Sequence, residues 1–230
     1  MKIDGNPDSQ KEQLLEVAVF LFLIVPSMVL AFFVIRQGSV GFTFTAVSVM
    51  LRDLALVSLI FFFLWRNREP WERVGWNFQD GWREVFLGAA LFLPMFWGAG
   101  ILDQFLQSVG FSAPATPTPS FLQARGGLEI VLASLLVMVV ALAEEIIFRG
   151  YLLLRFQGLK LPAIWAALLS AFIFSLGHGY EGSSGVVTVG AVGLLLALVY
   201  LWRGSLVAPI TIHFLQDFIG IVIPALLGSK

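Results

Sequence analysis

The sequence predicts an all-α fold, a polytopic transmembrane helical bundle of about seven spans, with an eighth if one of them is broken. Three observations lead there. Of 230 residues, 58% are hydrophobic and only 13% charged, whereas soluble domains carry about 25% charged residues. Apolar runs close to 20 residues recur between short polar connectors, which suits helices crossing a hydrocarbon core of about 30 Å at 1.5 Å per residue. The few ionisable groups inside those runs gather in particular segments instead of being spread along the chain.

In order, residues 1–15 read as a polar tail and 17–35 as the first span. A secretory signal peptide is the competing reading for that run. The run is longer than a usual signal core, and no small-x-small cleavage site follows before Arg36, so a retained span is the better reading. The second span, 42–65, contains Arg52 and Asp53, read as a mutual or interhelical pair that fixes packing. Residues 66–76 form a basic, tryptophan-rich connector suited to the membrane interface. The third span covers 84–106, with Pro94 as a candidate kink. Residues 112–120, with Pro114, Pro117 and Pro119, read as an extended loop outside the membrane. The fourth span runs over 128–154. Pro162 opens the fifth, which ends near His178, and 179–185 read as a tight turn. The sixth covers 186–202 and the seventh 206–227. The chain thus divides into the tail, N-terminal helices and connectors over 16–127, and C-terminal helices over 128–230 that carry the chemistry. It shows no internal repeat.

Orientation follows from the loops. With seven spans, Lys2, Lys11, Arg66, Arg68, Arg73, Arg83, Arg155, Lys160 and Arg203 fall on one side, and Arg36, Arg125 and Lys230 on the other. Nine against three places the N-terminus in the cytoplasm, as in a multi-pass protein of a prokaryotic cell membrane. A net charge of −1 gives no basic footprint for nucleic acid. The absence of cysteine excludes disulfides, thiolate catalysis and cysteine metal sites. Membrane lipid and a peptide or protein substrate are the expected partners.

The chemistry centres on Glu144, Glu145 and Arg149, set in an oily run. A charge at the bilayer centre costs about 2.5–3.5 kcal/mol, so such groups persist where they pair or line a wet cavity. Glu145 and Arg149 share a helical face four residues apart, acid before base. Glu144 points about 100° away from Glu145 and needs a partner from another helix. The only histidines, His178 and His213, lie in two further apolar segments, the second four residues before Asp217. Depth arithmetic from the arginine-rich ends puts Glu144 about 16 Å in, His213 about 12 Å and His178 about 24 Å, so the third is deeper than the others. Because two of the three motifs come out nearer that side, a cavity open toward the cytoplasmic leaflet is expected. The 22 phenylalanines read as lipid-facing and packing residues.

Glu144-Glu145-x-x-x-Arg149, Phe174-x-x-x-His178 and His213-x-x-x-Asp217, in this order on separate hydrophobic segments, resemble the signature of the CPBP intramembrane proteases. This is the CAAX-protease and bacteriocin-processing, or Abi, family, related to the type II CAAX prenyl endopeptidase. The resemblance covers about 128–227. It implies an endopeptidase in which Glu144 is the general base, His178 helps hold the attacking water, and His213 donates to the oxyanion or assists the leaving amine. Asp217 stands at the last motif position, and Arg149 holds Glu145 in place. The family pattern leaves two chemistries open. One is a metal-free, glutamate-activated water, which the reading favours because the HExxH helix of common zinc peptidases is missing. The other is a divalent metal such as zinc on Glu144, His178 and His213. CAAX-type peptides or small membrane peptides are the implied substrates. The rival functions are an ion- or proton-coupled transporter and a catalytically silent scaffold or immunity protein.

Overall fold

A computed structural model describes residues 7–36, 41–78, 80–114 and 119–228. Among these the chain is helical and contains no strand. The α-helices are α1 (Pro7–Arg36), α2 (Phe42–Arg66), α3 (Gly81–Ser108), α4 (Gly126–Glu144), α5 (Leu153–Gly158), α6 (Ala163–Ser175), α7 (Gly182–Arg203), α8 (Val207–Asp217) and α9 (Ile223–Gly228). Two wider π-helical stretches, Glu145–Leu152 and Phe218–Val222, join α4 to α5 and α8 to α9. A tight 3₁₀ segment, Leu176–Glu181, joins α6 to α7.

Five helical runs among the described residues are long and apolar enough to cross a membrane: Phe42–Arg66, Gly81–Ser108, Gly126–Gly158, Ala163–Arg203 and Val207–Gly228. The number is lower than the expected seven because α1, which holds the first expected span, is not among the five, and the fifth and sixth expected spans belong to one 41-residue helical run. That run folds back on itself at His178, whose φ of −107° and ψ of 21° are not helical. Past the fold, Gly190 lies against Ser175, and Gly193 against Phe174 and Ala171, so the two legs run antiparallel. The expected tight turn at 179–185 is therefore shorter, since α7 already starts at Gly182. The first expected span lies inside α1, which begins within the expected polar tail; residues 1–6 lie outside the described part. Of the expected loop at 112–120, residues 115–118 also lie outside it. Ser112 is tied to Ser183 by a bond from its backbone N–H to the hydroxyl at 2.8 Å.

Small residues set the helix contacts. A Cβ on Gly88 of α3 would come within 2.7 Å of Thr211 Cβ and 2.8 Å of the Ala208 carbonyl on α8, so these helices touch backbone to backbone. Gly204 ends α7 in the left-handed conformation at φ 66°, which glycine adopts freely, and its N–H returns to the Tyr200 carbonyl at 2.8 Å. At the start of α4, Glu129 accepts the backbone N–H of Arg125 at 2.7 Å and the Thr43 hydroxyl at 2.8 Å, which fastens α2 alongside α4.

The arginine-rich end is locked by buried ion pairs. Glu16 of α1 meets Arg66, Asn67 Nδ2 at 2.7 Å and Arg155 Nε at 3.0 Å, and accepts the Tyr151 hydroxyl at 3.2 Å. Arg155 also reaches Glu69 at 2.7 Å, where Arg73 arrives at 2.6 Å. Arg203 at the end of α7 pairs with Glu84 at the start of α3 at 2.6 Å. The main apolar core lies above this lock, between α1, α2, the π-helical stretch after α4, α6 and α7.

Candidate active site

Glu144 is the last residue of α4, and the turn widens at the next residue. A π-type stretch adds a residue per turn and is frequent at functional sites. Here it buries Glu145 through Leu152 while Glu144, at 14% side-chain exposure, stays at a cavity edge. Glu145 Oε1 receives Arg149 Nη1 at 2.8 Å, the i, i+4 pair expected from the sequence, with both residues at 1% exposure or less. Arg149 Nη2 donates to the Gly193 carbonyl at 3.2 Å, and its guanidinium carbon lies 4.4 Å from the centre of the Phe174 ring. A methyl group at Gly193 would press on Phe174 at 3.0 Å and on Arg149 at 3.2 Å, so the glycine is what admits both groups.

From α8, His213 completes the cluster. Its Nδ1–H donates to Glu145 Oε1 at 2.8 Å. Its Nε2 lies between Asp217 Oδ2 at 3.4 Å and Glu144 Oε2 at 3.7 Å. Two segments distant in sequence, α8 and the junction of α4 with the widened turn, thus meet at one imidazole. Glu145 meets both Arg149 and His213 through Oε1, and its Oε2, like Glu144 Oε2, is buried and accepts no hydrogen bond.

His178 occupies the non-helical turn. Its Nδ1 lies 3.3 Å from the Phe174 carbonyl, which can only accept, so Nδ1 carries the proton and Nε2 is the free nitrogen. The ring packs on Phe174 at 4.9 Å, and Phe174 meets His213 edge-on at 6.0 Å. A cavity of about 230 Å³ is walled by Glu144, His178, His213 and Asp217 together with apolar faces of α2 and α4. Phe174, read from the sequence as packing, is the plate on which Arg149 and both histidines rest.

Four residues escaped the sequence reading as members of the site: Arg52, Tyr180 and Glu181, which line the cavity, and Asp53, which bears on it electrostatically. Arg52 and Asp53 do pair, at 2.8 Å, but Arg52 also lines the cavity. Asp53, at 1% exposure, is within electrostatic range of Glu144 and His213. Depth would have shown this, since Asp53 lies 13 residues, or about 20 Å, before Arg66 and so near the level of Glu144. Tyr180 and Glu181 follow His178 directly and were read only as a turn. Phe121, Leu122, Tyr180 and Glu181 also line this cavity.

Among the described residues, no three His, Asp or Glu side chains converge as a set that could hold a metal ion. Glu144, His178 and His213 share a cavity wall in this geometry but do not form a ligand triad.

Fold and site together define a helical membrane protein with a charged cluster enclosed between its spans. Residues 126–219, which hold that cluster, match the family described as type II CAAX prenyl endopeptidase Rce1-like. The matched stretch is 94 residues, less than half of the chain, and over it the chain is similar to that family. It is also similar to the uncharacterized protein YpbD of Bacillus subtilis (strain 168), 36% identical over 84 residues, which are 36% of this chain and 40% of that protein. The aligned part thus spans well under half of that relative. No solved structure matches the chain.

Proposed function

We propose that the chain is an intramembrane endopeptidase that hydrolyses a peptide bond near the membrane with a water activated by Glu144. One observation carries this reading: of the two adjacent carboxylates, Glu145 is engaged by Arg149 and His213 through Oε1 and does not line the cavity, while Glu144 lines it with an oxygen that accepts no hydrogen bond. Glu144 takes a proton from the water as its oxygen attacks the scissile carbonyl carbon. The free Nε2 of His178 orients that water. His213, held by Glu145 and flanked by Asp217, donates to the oxyanion that forms. Collapse of the tetrahedral intermediate breaks the C–N bond, and the proton held by Glu144 passes to the leaving amine. No metal is needed in this scheme. CAAX-type C-terminal peptides or small membrane peptides are the substrates that the family match suggests.

Cleavage of quenched membrane peptides by the purified protein in detergent tests it. Glu144→Ala is expected to lower the rate about 10²–10⁴-fold, the usual contribution of a general base, and His178→Ala to lower it as well. A zinc chelator should leave the wild type unaffected. Loss with chelator and recovery on adding zinc would overturn the metal-free scheme, and retained cleavage in Glu144→Ala would overturn the reading itself.

A further inference from the structure

A second cavity of about 580 Å³ lies on the α3 side of the site and shares Tyr180, Glu181, Gln216 and Asp217 with the first. Three carboxylates line it, those of Asp103, Glu181 and Asp217, and no lysine or arginine does. Glu181 is compensated in part by His178 and by a hydrogen bond from Tyr180, and is within electrostatic range of both of the others. Like charges gathered at low dielectric repel unless a cation joins them.

The side chains are arranged to receive one. Gln107 Nε2 donates to Asp103 Oδ2 at 2.8 Å, which fixes that carboxylate, while Oδ1 is buried without a partner. On α7, Thr188 lines the same cavity at 9% exposure, and its hydroxyl is also unpartnered. The rings of Trp97 and Tyr180 complete the wall, and aromatic faces attract ammonium and guanidinium groups. These acceptors do not converge tightly enough to hold a metal ion. They are spread over a volume suited to an organic cation on an alkyl stem.

We propose that this cavity is the subsite for a lysine or arginine side chain of the peptide substrate, with Asp103 as the residue that selects it. The proposal rests on the endopeptidase reading and narrows its substrate class to membrane peptides carrying a basic residue close to the scissile bond.

The test is binding, read separately from turnover. Full-length Glu144→Ala protein in detergent is titrated into a fluorescent apolar peptide bearing one central lysine, and into the same peptide with norleucine in its place. The lysine peptide is expected to bind about tenfold more tightly, as for one desolvated charge pair. Adding Asp103→Asn should collapse that ratio, Asp103→Glu should restore it, and Asp103→Lys should turn the preference toward a glutamate peptide. Thermal unfolding of each variant confirms that it is folded. Equal binding of the lysine and norleucine peptides, or a ratio unmoved by Asp103→Asn, would overturn the subsite. Failure of the endopeptidase reading shows differently, as cleavage that survives Glu144→Ala, and leaves the binding ratio to be read on its own.

Discussion

Arg149 shows how the cluster is balanced residue by residue. It neutralises Glu145, bonds a carbonyl of α7 and lies on Phe174, all at 1% exposure. Removing it leaves a buried carboxylate with only His213 for compensation, and breaking a buried pair typically costs about 3–5 kcal/mol. Arg149→Leu should therefore lower the unfolding temperature in detergent markedly. Arg149→Lys should recover only part of the loss, because an ammonium can neither fork between Glu145 and Gly193 nor stack on a ring. If Arg149→Leu unfolds at the wild-type temperature, the pair is not structural. The partnership was legible from the i, i+4 spacing alone. Arg149's contacts to Gly193 and Phe174 were not, because they depend on α6 and α7 folding back together.

At the scale of elements, contacts are governed by where a side chain is missing. Gly88→Ala should push α3 off α8 and cost about 1–3 kcal/mol, as overpacking does. Gly98→Ala on the same helix meets nothing within 4 Å and should leave the protein as stable or slightly more so. Unfolding temperatures of the two variants measured side by side decide the matter. Hydropathy located most of the helices to within a few residues, since apolar length is set by the bilayer. It could not show that two of the expected spans form one folded run, nor that α2 brings Arg52 and Asp53 to the site. Those depend on packing between helices. The widened turns after Glu144 and Asp217 were equally invisible, because a π-helical stretch has no composition of its own.

Across the whole molecule, the two ends contrast. One is held by Glu16, Glu69 and Glu84 against four arginines; the other carries the two cavities that share Tyr180, Glu181 and Asp217. The lock ties α1 and the connector after α2 to α5. Arg155→Met should destabilise the bundle by about 3–5 kcal/mol and make α1 more susceptible to limited proteolysis than the helices after α4. Proteolysis that starts elsewhere would show that α1 does not depend on the lock. The sequence showed these arginines as topology signals, and nothing in the linear pattern distinguished a loop cation in water from one sealed under a helix.

The widened turn after Glu144 also fixes the phase of everything before it. Arg155 pins one side of that turn to Glu16 and Glu69, and Glu144 sits on the other. Inserting one more residue within it, after Ile147 for instance, leaves no further widening to absorb the addition and would rotate Glu144 by about 100° about the helix axis. The expected protein remains inserted and helical by circular dichroism yet has no peptide cleavage, the Glu144 carboxylate turned out of the cavity. A neighbouring deletion that restores the count should bring the carboxylate back into register.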